Sequence, residues 1–147
     1  MFNSILVPTD GSKLSQKAIE KAILLASTTG ATLVALHVYP KFGGGPYGTF
    51  GPAKGAMADA HMRHHETQAA TIFDGVTRLA SAANVRLECV IVEGDDVHQR
   101  IIAVAKKRRC DLICMASHGR RGLAGVVLGS ETHKVLTHSK LPVLVLR

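Results

Sequence analysis

Tryptophan is absent from the chain, and its aromatic residues are four Phe and two Tyr, 4% of the whole. Proteins that bind single-stranded nucleic acid stack bases on interleaved aromatics, so this scarcity argues against that class. No recognised reader motif accompanies the one basic run, "KKRR" at 106–109. Helix termination is the favoured reading of that run, because cations complement a helix C-terminus. Long apolar stretches are missing too: none approaches the ~20 residues that span a bilayer. The opening "MFNSILVPTD" has no basic flank and reaches Pro8 too soon for a secretory signal. The expectation is a cytoplasmic protein without a membrane partner. Cysteine is sparse, and Cys89, Cys110 and Cys114 make an odd set with no Cys-x-x-Cys pair. Reduced thiols follow: Cys89 and Cys114 read as small buried hydrophobes in strand-like runs, and Cys110, after the basic run, as the one to test for reactivity.

Several motifs are also missing. The Walker loop and the dinucleotide fingerprint Gly-x-Gly-x-x-Gly do not occur. Ser12, Ser15 and Ser117 lack a Gly-x-Ser-x-Gly elbow, so no catalytic residue is assigned and a dedicated hydrolase is disfavoured. Within "HMRHHE" (61–66), His61 and His65 stand four apart on a helical segment and form a usable ligand pair. No third ligand is placed by the sequence, so a solvated helix face is the favoured reading and no metal site is assigned.

What is present describes a globular chain. Its 147 residues, 46% hydrophobic and 20% charged, suit one domain, 1–147. An excess of 18 Lys+Arg over 11 Asp+Glu gives a net charge of +7, which attracts anions. Val-, Ile- and Leu-rich runs at 2–8, 31–39, 85–93, 110–116 and 141–146 alternate with helical patterns. The first helix has Ser12 as a candidate N-cap and Gly30 as its stop; the second starts as early as Lys54 and ends at Asn84; the third is capped by an aspartate of "GDD". Such alternation predicts an α/β fold, a doubly wound five-stranded parallel sheet with helices on both faces. The Gly- and Pro-rich segment 40–55 reads as a loop. A surface excursion is favoured there over a lid, although Phe42, Tyr47 and Phe50 keep the lid reading open.

The stretch "ASHGRRGLAGVVLGS" (116–130) leaves the carboxyl end of the fourth strand, where ligands bind in open parallel sheets. Gly129 and Ser130 open the next helix, whose unpaired amides and dipole favour an anion. Gly119 and Gly122 allow close backbone approach or positive φ, and Arg120 and Arg121 add charge. Ordinary turns, with Ser130 as an N-cap, are the competing account. Asp10, just past the first strand, stands where acidic ribose-binding groups occur, or else makes a local Asx-turn.

"ILVPTDGS" at the first strand, "LHVY" ending the second, and "ASHGRRGLAGVVLGSETHKVLTHSKLPVLVLR" at the C-terminus together resemble the universal stress protein family over the whole chain. The resemblance implies a Rossmann-like or flavodoxin-like sandwich of strand order 3-2-1-4-5, usually dimeric, whose nucleotide-binding members carry Gly, two residues, Gly, nine residues, Gly, then Ser or Thr. On this chain the later positions are Gly119, Gly129 and Ser130, while the first falls on Ala116, whose methyl would cost ~1 kcal/mol or more if φ had to be positive, or would crowd the ribose or a phosphate if only close approach were needed. The resemblance also implies Asp10 on a ribose hydroxyl, the Val38 backbone on the adenine edge, and Pro8 and Thr9 lining the cleft. The full candidate set adds Ser117, His118, Arg120, Arg121, Gly122, Glu131 and Thr132. The implied ligand is ATP or a related adenine nucleotide, with Mg²⁺ carried by the phosphates. A homodimer is expected through the apolar C-terminal strand, an edge that a partner chain commonly covers. The alternatives are a dimeric scaffold that does not bind nucleotide and a weak ATPase.

Overall fold

The computed structural model describes residues 1–43, 52–118 and 128–147, with only the backbone described at 52–54. Among these residues five strands and four helices alternate: β1 (Ser4–Pro8), α1 (Lys13–Thr29), β2 (Thr32–Tyr39), α2 (Pro52–Ala82), β3 (Leu87–Glu93), α3 (Val97–Lys107), β4 (Leu112–Ala116), α4 (Ser130–His138) and β5 (Val143–Leu146). All neighbouring strands pair in parallel, in the order β3-β2-β1-β4-β5. The order expected from the family resemblance is the order observed.

Alternation along each strand sorts the core into two layers. Ile5, Val7, Leu33, Ala35, Leu112 and Cys114 pack under α1 and α2, with Ile19, Ala22, Val76 and Ala80. Leu6, Val34, Leu36, Ile113 and Met115 face the other way, onto Ile101, Val104, Ala105 and Val135 of α3 and α4.

Helix boundaries follow from local chemistry. The Ser12 hydroxyl accepts from Ser15 N at 3.2 Å and so caps α1. Three helices end alike, on a left-handed residue followed by an amide that returns to the last turn: Gly30 (φ 72°) with Ala31 N to Ala26 O, Asn84 (φ 53°) with Val85 N to Ala80 O, and Arg109 (φ 53°) with Cys110 N to Ala105 O. The basic run 106–109 thus carries α3 into its terminal turn, and Arg108 pairs with Glu88 at 2.6 Å.

Four expectations need correction. The second helix starts at Pro52, earlier than Lys54, because Pro is preorganised for a first turn. Asp96 occupies the N-cap of α3 without a side-chain cap bond, and Asp95 accepts from Lys41 N at 3.0 Å instead. Cys89, read as buried, is exposed on the edge strand β3. Cys110, read as the reactive candidate, is buried, and its sulfur accepts from the Ser4 hydroxyl at 3.4 Å. Burial pushes its thiol pKa up, which disfavours the thiolate.

Candidate functional site

The chain reverses its direction of travel across the sheet between β1 and β4, so the crevice beyond their carboxyl ends is the switch point where such sheets bind ligands. Extending the β1–β4 register from Leu6↔Ile113 brings Thr9 alongside Ala116. Pro8, Thr9 and Asp10 leave β1 at that crevice, Ala116, Ser117 and His118 leave β4, and Gly129–Thr132 open α4 beside them.

Nested hydrogen bonds hold the turn after β1. Thr9 N donates to Leu36 O at 2.8 Å, and the Thr9 hydroxyl meets the Ser15 hydroxyl at 3.1 Å and accepts from Gly11 N at 3.2 Å. Asp10 Oδ1 accepts from Ser12 N at 2.9 Å, so the Asx-turn is formed at the place where the ribose role was expected. A residue not singled out in the sequence completes the turn: buried His37 donates through Nδ1 to Thr9 O at 2.9 Å. The one polar residue inside the apolar run "TLVALHVY" was the available signal.

β2 outlasts β1. Leu33 N bonds Arg86 O and Tyr39 O accepts from Gly94 N, which turns the odd-numbered residues of β2 toward β3; Thr32 N bonds Asn3 O and Leu36 O accepts from Thr9 N, which turns the even-numbered ones toward β1. Val38, the next even position, therefore points its N–H and C=O to the side where β1 has already turned away. A donor and an acceptor on one residue face the crevice.

At the β4 end, Ser117 N extends the sheet to Leu146 O, and the buried Ser117 hydroxyl meets His118 Nδ1 at 3.2 Å. Ala116 is the last residue of β4, paired with Leu146, and is not among the described residues with positive φ. The backbone penalty considered for its methyl does not arise. Gly119, Arg120, Arg121 and Gly122 lie outside the described residues.

Gly129, at φ −70°, is the N-cap of α4 and donates to Ser117 O at 2.6 Å. A Cβ there would sit 3.0 Å from His118 Cα and 3.2 Å from Ser117 O, so close passage of two backbones favours the glycine. Ser130 is the first helical residue and not the cap that the turn account proposed. The first intrahelical bond runs from His133 N to Gly129 O, and helix geometry leaves the amides of Ser130, Glu131 and Thr132 without intrahelical acceptors. The Thr132 hydroxyl is committed inward, donating to Ala116 O at 3.0 Å. The Glu131 side chain turns away to α3, accepting from His98 N at 2.9 Å and from Lys134 Nζ at 2.9 Å. Burial works against its charge, but these partners hold its carboxyl below the ordinary range. Several candidate side chains thus build the crevice, and the groups left facing it at these points are main-chain ones.

Among the described residues no three His, Cys, Asp or Glu side chains converge as metal ligands. His61 and His65 do share a face, but it is half-buried against Tyr39, which corrects the expected solvated face.

A pattern for the universal stress protein family matches residues 1–147. Universal stress protein YxiE of Bacillus subtilis (strain 168) is 32% identical over 153 residues, covering 100% of both chains. The solved structure of MJ0577, a universal stress protein of Methanocaldococcus jannaschii, superposes with a TM-score of 0.85 at 24% identity, covering 99% of this chain and 96% of that one. A universal stress protein solved in complex with cAMP superposes with a TM-score of 0.72 at 24% identity, covering 99% and 97%. With the family pattern spanning every residue and the strand order 3-2-1-4-5 in place, the chain belongs to the universal stress protein family.

Proposed function

We propose that this chain, as one domain over 1–147, binds ATP or a related adenine nucleotide at the β1–β4 crevice and acts as a nucleotide-regulated stress-response protein. The observation that carries this reading is the main-chain edge of Val38 that the strand parity turns toward the crevice, with no partner among the described residues. Adenine presents an acceptor, N1, beside a donor, N6–H₂, and a residue offering N–H and C=O in one direction complements that pair. Guanine reverses the pattern and is disfavoured. Asp10 then serves the ribose at the mouth of β1, and the first-turn amides of α4 receive phosphate, assisted by the net charge of +7. Mg²⁺ would travel with the phosphates, since the described residues supply no carboxylate cluster for it. The adenine nucleotide in the cAMP-bound relative supports the same ligand class.

Two copies pair through β5 in this reading, and the protein works in the cytoplasm. Pro142 O accepts from Ile113 N, and Leu146 O from Ser117 N, so the even-numbered residues of β5 face β4 while Val143 and Val145 present unpaired main-chain groups at the sheet edge. Leu144 and Leu136 lie exposed nearby, at 40% and 42%. No helix among the described residues is long and apolar enough to cross a membrane.

The test is calorimetric titration of Mg·ATP, Mg·GTP and AMP into nucleotide-stripped protein, with a Val38→Pro variant that deletes the donor without removing a β1 ladder bond. Saturable ATP binding, roughly tenfold weaker GTP binding and a comparable loss of ATP affinity in the variant are expected. Absence of ATP binding, or equal affinity for ATP and GTP, refutes the proposal.

A further inference from the structure

Helix α2 is two helices in its chemistry. From Ala69 onward its inward stripe is aliphatic and aromatic, with Ala69, Val76 and Ala80 buried and Phe73 packed beside them. Over 55–66 the inward residues are Ala58, His61 and His65, spaced three and four apart, and every other residue is exposed. Imidazoles stand where an amphipathic helix ordinarily places aliphatic side chains.

These imidazoles make the contacts that bind this half of the helix to the end of β2. His65 stacks on Tyr39 at 5.0 Å between centroids and 19° between planes, and His61 meets Tyr39 at 6.1 Å and Phe42 at 5.6 Å. His61 donates through Nε2 to Pro40 O at 2.8 Å. The two rings are 4.5 Å apart, and exposed His64 lies 5.3 Å from His65. His65 Nδ1 is enclosed with no hydrogen-bond partner among the described residues. The Gln68 side chain beside the ring favours a proton on His65, but burial and the neighbouring His61 and His64 outweigh it.

We propose that this histidine stripe is an acid-sensitive latch: protonation of His65, which stacks on Tyr39 beside the His61 and His64 rings, releases the 55–66 half of α2 from the end of β2 and weakens the neighbouring nucleotide crevice. The charged and titratable groups around the latch are His37 and Tyr39 from β2, His64 and Glu66 from α2, and Glu93 from β3. Glu66 and Glu93 are the available counter-charges, but both are exposed and screened. Burial, followed by the repulsion of His61, His64 and His37, holds the His65 pKa below its ordinary 6.5. The native state therefore binds fewer protons than the unfolded one, so the latch is at full strength above 6.5 and is lost as pH falls below it. The link to the crevice is short. Val38 directly precedes Tyr39 and Pro40, which the latch grips, and His37 holds the Thr9 carbonyl at the crevice wall.

The nucleotide arm of this proposal rests on the preceding functional reading; release of the helix does not. Amide hydrogen exchange over 55–66 and 69–82, corrected for intrinsic rates, at about pH 7.5 and about pH 5.5 spans imidazole titration. Expected is roughly tenfold or greater loss of protection over 55–66 on acidification, with 69–82 unchanged. In His61→Gln, His65→Phe protein, which keeps a donor for Pro40 and a ring for Tyr39, the loss should disappear; the single His65→Phe variant, expected to lose less than the wild type, guards against misfolding of the pair. Unchanged protection in the wild type, or equal loss in both variants, overturns the latch. ATP titrations at the two pH values separate the readings. Equal pH dependence in wild type and variant overturns the coupling while leaving nucleotide binding intact. No ATP binding at either pH overturns the functional reading and the coupling, and the exchange data then decide the latch alone.

Discussion

The N-terminus of α3 offers a sharp stability prediction, because the residue in the capping position is not the one that does the capping. Asp96 stands at the N-cap without a side-chain bond, while Glu131 reaches across from α4 to accept from His98 N at 2.9 Å. Hydrogen bonds involving a charged group contribute roughly 1.5–3 kcal/mol. The Glu131 side chain is 36% exposed, which places its bond near the lower end, and its second partner, Lys134, is 46% exposed and adds little. Replacing Glu131 with Ala also strands the amide of a residue only 9% exposed. Glu131→Ala should therefore cost about 1.5 kcal/mol, a fall of roughly 3–6 °C in Tm for a domain of this size. Asp96→Ala should stay within about 0.5 kcal/mol of the parent. Urea unfolding with unchanged m-values measures both. The carboxyl is held below its ordinary 4.5, so its contribution is complete above that pH and fades as pH falls through the lowered value. The gap between wild type and Glu131→Gln should close in the same direction. An Asp96→Ala cost equal to that of Glu131→Ala refutes the cross-helix cap.

Two further outcomes test the surface and the thiols. Val145→Pro removes an outward-facing N–H at the β5 edge while sparing the bonds to β4, so a dimer at micromolar concentration should become a monomer by light scattering with little change in Tm; an unchanged mass rejects pairing through this edge. Under thiol titration of the folded protein, exposed Cys89 should label first and Cys114, its pKa pushed up to about 11 by burial, last; fast labelling of Cys110 or Cys114 contradicts the packing.

The fold was legible because each local signal agreed with the others. Ser12 and Gly30 bracket α1 as their chemistry dictates, and the parallel strands read as unbroken apolar runs because both faces are covered. Positions fixed by tertiary contact were not legible. Asp95 and Asp96 both look like caps, yet one is drawn to the Lys41 amide and the other is displaced by a carboxylate 35 residues further on, at Glu131. Cys89 sits in an apolar run but on an edge strand, where it is exposed while its neighbour Val90 is buried on the opposite face. The carboxyl ends of β1 and β4 meet at the switch point, as the expected strand order requires. The work of the crevice side chains was harder to foresee, because Thr9, Ser117 and Thr132 make bonds within the protein and Glu131 turns to α3, which leaves main-chain groups facing the crevice at these points. His37 escaped notice because a lone histidine in a strand carries no spacing to interpret.

The contact between Gly129 and the Ser117–His118 backbone changes how sequences of this family should be compared. A Cβ there would lie 3.0 Å from the His118 backbone, so the passage of two main chains favours glycine whether or not a phosphate ever arrives. Presence of this glycine is therefore not by itself a mark of nucleotide binding. Functional divergence within the family is better sought at positions such as Ala116, where the strand backbone needs no positive φ and the side chain stands at the mouth of the crevice.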